Sequence, residues 1–281
     1  METIQRSAEM QRLTAELRSR GKSIGLVPTM GALHAGHLSL LRACRAGNDV
    51  SVMSLFVNPT QFDRPDDLAR YPRDPEGDSR LAREAGVDVI FAPNVEEMYP
   101  AGYATFVIVE GLTTRWEGAS RAGHFRGVAT VCTKLFTICR PHRAFFGQKD
   151  YQQTLVVKRL AADLNLDLEI IVLPTVREPD GLALSSRNVL LGPEERRQAT
   201  VLSRALRDAQ AAVRAGDRDA VKLRLAIEEA IRETPLAAVD YVGVCDPETL
   251  EPLERIAGRA VAVVAARFGR TRLIDNMLLE P

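Results

Sequence analysis

Short apolar runs alternate with amphipathic segments along the first two thirds of the chain. Runs without polar alternation are typical of parallel strands covered on both faces, and apolar residues recurring every three or four positions predict helices. The predicted strands span residues 23–27, 49–57, 87–91, 143–146 and 168–173, and the predicted helices span 35–46, 78–85, 127–139 and 151–164. This order predicts an α/β fold with a doubly wound parallel sheet, Rossmann-like in its architecture.

The pattern changes beyond residue 175. A long charged helix is predicted over residues 193–214, with proline at a favoured early position, and a second helix over 220–233. Three strands are predicted at 238–245, 260–268 and 271–277. We therefore expect an α/β domain at residues 1–175 and a smaller α+β domain at residues 176–281. The prolines between residues 58 and 78 predict a long irregular loop.

Composition narrows the classes of function. Lys and Arg together number 37, as do Asp and Glu, so the net charge is zero and a broad basic surface for nucleic acid is not expected. The four cysteines are scattered without a C-x-x-C pair, which predicts buried thiols in a reducing compartment. No apolar run approaches the roughly 18 residues of a membrane helix. We expect a cytoplasmic protein that binds neither membrane nor nucleic acid.

His34 and His37 lie where the first predicted strand meets its helix, within residues 28–37, PTMGALHAGH. Ligands of open α/β sheets bind beyond the strand ends, and helix N-termini attract phosphate. Gly31 and Gly36 remove side-chain bulk and let the backbone approach a nucleotide. The spacing of the histidines predicts that they share one helix face and donate hydrogen bonds to phosphate. The structural alternative is that both are capping or core histidines.

Two further loops carry polar side chains. Asn58 and Gln61 follow the second strand beside aromatic residues, which suits a small substrate with hydroxyl and methyl groups. Arg121 begins the basic segment RAGHFRG before the helix at 127–139. That segment is either a solvated loop or a mobile cationic loop over an anionic site.

Two cationic residues, Lys149 and Arg187, lie in predicted turns further along the chain. Lys149 follows a strand-ending glycine and precedes a helix, where a phosphate contact is favoured, and Gln153 lies one helical turn further on. Asp150 is a plausible N-cap of that helix. Ser185, Ser186 and Arg187 follow a glycine turn and are either a cap or a phosphate clamp, and Arg187 adds a second cation.

Together, PTMGALHAGH (28–37), FVNPTQF (56–62) and GLALSSRN (181–188) resemble the pantothenate synthetase (pantoate–β-alanine ligase) family of HxGH nucleotidylyltransferases. The resemblance runs essentially end to end. It implies that pantoate and ATP form a pantoyl-adenylate and pyrophosphate, and that β-alanine then displaces AMP to give pantothenate. It further implies that residues 1–175 bind ATP and pantoate and that residues 176–281 close as a lid.

The resemblance also implies site residues. The catalytic candidates are His37, His34, Lys149 and Arg187. The ATP-binding candidates are Met30, Gly31, Ala32, Leu33, His34, Ala35, Gly36, His37, Gly147, Gln148, Lys149, Asp150, Val176, Leu184, Ser185, Ser186 and Arg187. The pantoate candidates are Gln61, Gln153 and Asn58, and Gln61 also meets β-alanine.

The family uses Mg²⁺ and is homodimeric, and both properties are expected here by resemblance. Two positions depart from the family pattern, since Gln148 stands in place of an expected Glu and Leu184 in place of an expected Met. Loss of the charge at Gln148 is expected to affect the positioning of Lys149. The alternatives are another HxGH nucleotidylyltransferase, which the Asn58 and Gln61 loop disfavours, and a nucleotide-binding regulatory module, which the retained cations disfavour.

Overall fold

The structure is a computed structural model that describes residues 1–63 and 65–281. The chain divides into two compact units. Unit 1 comprises residues 1–147 and 153–174, and unit 2 comprises residues 148–152 and 175–281. Each unit has a hydrophobic core of its own.

Unit 1 is built on a parallel sheet. The strands of the chain are β1 (Glu2–Ile4), β2 (Ile24–Thr29), β3 (Val50–Leu55), β4 (Val89–Phe91), β5 (Arg143–Gly147), β6 (Glu169–Leu173), β7 (Ala237–Cys245), β8 (Ala260–Phe268) and β9 (Thr271–Leu279). The first six strands form the sheet in the order β1-β4-β3-β2-β5-β6, and every pair is parallel. The predicted doubly wound parallel sheet is confirmed.

Helices cover both faces of this sheet. The helices of the chain are α1 (Ser7–Ser19), α2 (Ala35–Gly47), α3 (Pro65–Ala69), α4 (Pro75–Glu84), α5 (Val95–Met98), α6 (Glu117–Ser120), α7 (His124–Cys139), α8 (Tyr151–Asp163), α9 (Pro193–Gln198), α10 (Val201–Arg214) and α11 (Ala220–Arg232). Leu26 of β2 lies in one core with residues of α7 and α8, whereas Val27 lies in a second core with residues of α2 and α4. Successive residues of a strand point to opposite faces, so an unbroken apolar run serves both cores.

The order of the strands places a switch point at β2. The chain passes from β2 to β3 and β4 on one side and then returns to β5 on the other side of β2. A crevice opens beyond the carboxyl ends of the strands at such a reversal. The segment that follows β2 is therefore where a ligand of this fold is expected.

Unit 2 contains an antiparallel sheet, β7-β8-β9, with a bulge between Val239 and Tyr241. Residues of α10 and α11 share a core with this sheet. The tight turn predicted at Gly269 and Arg270 joins β8 to β9. An α+β unit of this kind agrees with the predicted fold class.

Some predicted elements were wrong in their extent. The single helix predicted over 193–214 is two helices that meet at Ala199 and Thr200, where the N–H of Leu202 donates to the carbonyl three positions back, that of Ala199, at 3.3 Å. The loop predicted over 58–78 contains a 3-10 turn at Pro59–Gln61, helix α3 and the start of α4, with the prolines opening these helices. Residue 64 of that loop lies outside the described residues.

Short elements were missed, namely β1, α5 and α6, because three or four residues carry too little periodicity. All four cysteines are buried thiols, and burial raises the pKa of Cys44 to about 12. None of the helices in the described ranges combines the length and apolar character that a membrane crossing demands.

Candidate active site

His34 and His37 together form a cap at the start of α2. His34 has extended backbone and stands just outside the helix, and its Nδ1 accepts a hydrogen bond from the N–H of Gly36 at 3.1 Å. His37 Nδ1 accepts from the N–H of His34 at 3.3 Å. The ring centroids are 4.1 Å apart. The predicted shared helix face was wrong, because His34 is the N-cap, but the two imidazoles do lie together, and the capping alternative also holds.

This capping arrangement determines where the imidazole protons sit. A backbone N–H can only donate, so Nδ1 of each ring must carry a lone pair toward it. The neutral rings are therefore protonated at Nε2. Each ring can donate a hydrogen bond from its outer nitrogen while the inner nitrogen holds the helix start. Such donors suit an anionic group beyond the N-terminus of α2.

The β2–α2 loop, residues 30–34, is held by a buried carboxylate. Gly31 and Ala32 have φ values of +85° and +50°. Asp78 of α4 is 2% exposed and accepts hydrogen bonds from the N–H groups of Ala32, at 3.0 Å, and Leu33, at 2.8 Å. A Cβ at Gly31 would lie 2.6 Å from Asp78 Oδ2, so a side chain is excluded there. Burial raises the pKa of Asp78.

Sequence reasoning missed Asp78. It lies in a helix whose other acidic residues, including Glu76, are exposed, so nothing local distinguishes it. The distinguishing fact is a contact with a loop that lies more than 40 positions earlier in the chain.

Gln61 lies in the 3-10 turn after β3, Asn58 is the N-cap of that turn, and both are buried. Asn58 Nδ2 donates to Gln61 Oε1 at 3.0 Å. Gln61 Nε2 donates to the sulfur of Met30 at 3.1 Å, which joins this turn to the β2–α2 loop. The structure therefore brings the predicted pantoate residues Asn58 and Gln61 together, next to a residue predicted to bind ATP.

The start of α7 supports the backbone of this turn. The carbonyl of Gln61 accepts from His124 Nδ1 at 2.9 Å and from the Arg121 guanidinium at 3.2 Å. Arg121 also lies 3.8 Å from carboxylate oxygens of Asp63 and Glu117. Arg121, considered above as part of a mobile cationic loop, is thus engaged by two acidic side chains and a carbonyl.

In unit 2, Lys149 lies in the 3-10 turn Gln148–Asp150. Asn276 of β9 holds this turn, because its Nδ2 donates to the carbonyls of both Gln148 and Lys149 at 2.9 Å. The Gln148 side-chain amide donates in return to Asn276 Oδ1 at 3.4 Å. A glutamate carboxylate at position 148 could not donate this hydrogen bond. Asp150 is exposed at the end of the turn.

The segment that carries Ser185, Ser186 and Arg187 also lies in unit 2. Its base is a short antiparallel contact in which Leu184 N–H donates to the Val176 carbonyl at 3.0 Å. Ser185 caps the 3-10 turn Ser186–Leu190, since its Oγ accepts from the Arg187 N–H at 3.3 Å. The capping account of Ser185 therefore holds, and its phosphate role stays a prediction.

A buried ion pair fixes the base of that segment. Arg177 binds Asp275 through two contacts of 2.6 and 2.9 Å and donates to the carbonyl of Gly181 at 3.1 Å. Asp275 is 3% exposed. Because Asn276 adjoins Asp275, two consecutive residues in the middle of β9 support the Lys149 turn and the Arg187 segment within unit 2.

The remaining predicted residues are Gly147, at the end of β5, and Gln153, which is half-buried in the first turn of α8. Among residues 1–63 and 65–281, no group of three or more His, Cys, Asp or Glu side chains is placed to hold a metal ion. The described part of the chain thus offers no preformed metal site. The candidate site residues instead supply the imidazoles of His34 and His37, the amide of Gln61, and the positive charges of Lys149 and Arg187.

Comparisons with known proteins identify the family of the chain. The family model described as pantoate-beta-alanine ligase matches residues 2–278. A pantothenate synthetase of Moorella thermoacetica is 60% identical over 280 residues, which cover 100% of this chain and 99% of that protein. The crystal structure of pantothenate synthetase from Thermus thermophilus has a TM-score of 0.94 at 51% identity and full coverage of both chains.

A further solved structure carries ligands. It is the pantoate-beta-alanine ligase from Francisella tularensis complexed with beta-gamma ATP and beta-alanine. Its TM-score is 0.81 at 34% identity, and the match covers 99% of this chain and 97% of that one. On the match of the family model and on these identities, the chain belongs to the pantoate–β-alanine ligase family.

Proposed function

We propose that this chain condenses pantoate with β-alanine through a pantoyl-adenylate. In this proposal His34 and His37, which cap the start of α2, face the phosphates of ATP. Membership of the family makes the chain an ATP-using pantoate–β-alanine ligase. The observation that carries the assignment of residues is the pair itself, two imidazoles with ring centroids 4.1 Å apart at the N-terminus of α2. The ligands of the Francisella tularensis structure support ATP and β-alanine as substrates.

In the first step, a carboxylate oxygen of pantoate attacks the α-phosphorus of ATP. The bond from that phosphorus to the bridging oxygen breaks, and pyrophosphate leaves with the electron pair. In the second step, the amine of β-alanine attacks the acyl carbon, AMP leaves, and the amine gives up a proton. Neither step requires a nucleophile from the protein, so the chain acts by orientation and by charge.

His34 and His37 are assigned to the phosphate end of ATP. Their Nδ1 atoms accept from backbone N–H groups, which leaves each Nε2 as a hydrogen-bond donor. Negative charge increases on the departing pyrophosphate, and donors placed there stabilise the transition state more than the ground state. The residues of the β2–α2 loop are assigned to the nucleotide, because its positive φ values and its glycine allow close approach of backbone.

Lys149 and Arg187 are assigned to charge compensation. A carboxylate that attacks a triphosphate must approach an anion, and cations lower that repulsion. Each residue is carried on a 3-10 turn of unit 2. The Lys149 turn is bound by Asn276 in the middle of β9, and the base of the Arg187 segment is bound through Arg177 to the neighbouring Asp275. Gln61 and Gln153 are assigned to pantoate, and Gln61 also to β-alanine.

Mg²⁺ is part of the proposal as a companion of ATP. The described residues contain no cluster of three or more metal-ligating side chains, and both oxygens of Asp78 already accept backbone N–H groups. This fits an ion that keeps waters and binds mainly through phosphate oxygens. When bound, it neutralises phosphate charge. A homodimer and a cytoplasmic location, both implied by resemblance, complete the proposal, and four buried thiols are compatible with a reducing compartment.

The test is exchange of labelled pyrophosphate into ATP, measured with and without pantoate. Pantoate-dependent exchange is expected, with formation of pantothenate and AMP once β-alanine is added. His37→Ala and Lys149→Ala should each lower the exchange rate by about 10²–10³-fold, the effect of losing one transition-state donor. Lys158→Ala, at an exposed lysine of α8, is the matched control and should change nothing.

Two results would reject parts of the proposal. Exchange that needs no pantoate would indicate another HxGH nucleotidylyltransferase activity. A rate within about twofold of the parent after His37→Ala or Lys149→Ala, with binding saturated, would remove that residue from the mechanism.

A further inference from the structure

Asn58 has a side-chain orientation that is fixed by the backbone. It is 1% exposed. Its Oδ1 accepts from the N–H of Thr60 at 3.3 Å, and its Nδ2 donates to the carbonyl of Gly127 at 3.1 Å. An N–H can only donate and a carbonyl can only accept, so the oxygen and nitrogen of this amide cannot be exchanged.

That orientation determines the orientation of Gln61. The Nδ2 of Asn58 lies 3.0 Å from the side-chain oxygen of Gln61 and donates to it. The Gln61 nitrogen therefore points the other way, toward the sulfur of Met30 at 3.1 Å. A flipped Gln61 would set two amide NH₂ groups against each other in a buried position. Thioether sulfur is a weak acceptor, so the Gln61 nitrogen retains donor capacity for an oxygen of a bound acid.

Two hydroxyls, those of Tyr99 and Thr60, also donate to Asn58 Oδ1, each at 2.9 Å. The Tyr99 hydroxyl lies 3.3 Å from the hydroxyl of Thr60. The Tyr99 ring packs against Phe56 and, edge to face at 5.0 Å between centroids, against Tyr103. Burial raises the pKa of Tyr99 to about 12, so its hydroxyl stays protonated and remains a donor at neutral pH.

We propose that Tyr99 is a positioning residue for the acid substrate, acting through Asn58 to hold Gln61 with its amide nitrogen presented to an oxygen of that acid. The inference rests on the proposed function for the assignment of Gln61 to pantoate. Asn58 acts through Gln61 in this arrangement, because its own amide is already engaged. Its Oδ1 accepts from Thr60 and Tyr99, and its Nδ2 donates to Gly127 and Gln61. The ligand group selected is one that accepts a hydrogen bond, such as a carboxylate or hydroxyl oxygen.

The experiment compares Tyr99→Phe with Tyr103→Phe in pantoate-dependent pyrophosphate exchange. Both tyrosines belong to one aromatic cluster, and Lys134 lies over both rings. The Tyr103 hydroxyl makes no hydrogen bond to any residue in the described ranges, so its removal controls for the loss of a tyrosine oxygen. Tyr99→Phe should raise the KM for pantoate about tenfold, the effect of one neutral hydrogen bond, while the KM for ATP stays within about twofold. Tyr103→Phe should alter neither constant.

A double-mutant cycle with Gln61→Ala tests the route of the effect. If Tyr99 acts through Gln61, adding Tyr99→Phe to Gln61→Ala should raise the KM for pantoate no further. An equal effect of Tyr99→Phe in both backgrounds would overturn the inference, as would an unchanged KM for pantoate in Tyr99→Phe alone. Thr60→Val, which removes the other hydroxyl on Asn58 Oδ1, serves as a second variant if thermal unfolding shows that Tyr99→Phe is not folded.

The two proposals fail differently. If Gln61→Ala raises the KM for pantoate but Tyr99→Phe does not, only the positioning inference is wrong. If Gln61→Ala leaves the KM for pantoate unchanged, the assignment of Gln61 falls and the inference about Tyr99 falls with it.

Discussion

Gly127 of α7 offers a sharp test of how the Gln61 turn is positioned. Helix α7 crosses this turn so closely that a Cβ at Gly127 would lie 2.5 Å from the carbonyl carbon of Thr60 and 2.6 Å from the nitrogen of Gln61. Both are backbone atoms, which cannot rotate away as a side chain does. Gly127→Ala therefore requires α7 and the turn to separate.

The size of the effect follows from these distances. Ordinary contact begins at 3.4 Å, so the separation needed is about 1 Å. Overpacking of this kind costs about 1–3 kcal/mol, and alanine regains up to about 1 kcal/mol of helix propensity. The free energy of unfolding should therefore fall by no more than about 2 kcal/mol. A displacement of about 1 Å at a substrate-orienting residue can lower turnover about 10²-fold.

The assay is pantoate-dependent pyrophosphate exchange, with urea unfolding measured on the same preparation. Exchange should fall about 10²-fold and the KM for pantoate should rise, while the free energy of unfolding falls by no more than about 2 kcal/mol and the protein stays folded in the assay. Gly47→Ala is the control, since a Cβ there would lie 4.0 Å from the ring of Phe145, an ordinary contact near the end of α2. That variant should keep full activity. Exchange within about twofold of the parent in Gly127→Ala would refute the reasoning, because the turn would then tolerate displacement.

Three further predictions concern other buried polar groups. Arg177→Met should lower the free energy of unfolding in urea by about 3–5 kcal/mol, because it leaves Asp275 buried without its partner. Adding Asp275→Asn should recover part of this loss, and strictly additive effects of the two substitutions would contradict the account. Asp78→Asn should raise the KM for ATP about tenfold, because the amide nitrogen of asparagine cannot accept a hydrogen bond from one of the two N–H groups of the β2–α2 loop. Glu76→Gln, at an exposed position of the same helix, should leave the KM for ATP unchanged. Burial lowers the pKa of His142, whose Nδ1 accepts a hydrogen bond from a backbone N–H of β2. The folded protein therefore binds fewer protons than the unfolded chain, and its stability should fall as the pH drops below about 6.5. His142→Asn should reduce this pH dependence of the unfolding midpoint between about pH 7 and pH 5, and an unchanged dependence would show that His142 is not its cause.

The sequence alone predicted the fold class and the family correctly. Apolar runs separated by amphipathic helices specify parallel strands, because burial on both faces leaves no polar alternation. The position of His34 and His37 at a strand-to-helix junction was also predictable, since glycine spacing and helix starts are local properties. The site assignments that came from the resemblance, including those of Lys149 and Arg187, stay predictions.

Local sequence gave less information about the extent of elements. The helix predicted over 193–214 is interrupted at Ala199 and Thr200, although the charge pattern continues without interruption. Strand β1 has three residues and is specified by pairing with β4, which lies more than 80 positions away in the chain. Periodicity cannot detect an element that depends on a distant partner.

What only the tertiary structure decided is which polar groups meet. Asp78 is an ordinary helix carboxylate in the sequence, and packing of α4 makes it the acceptor for two N–H groups of the β2–α2 loop. Tyr99 and Gly127 come from different elements and converge on Asn58. Composition and spacing encode burial and local hydrogen bonds. The donor that faces each buried acceptor depends on strand order and on how closely helices approach, and these are settled only when the whole chain packs.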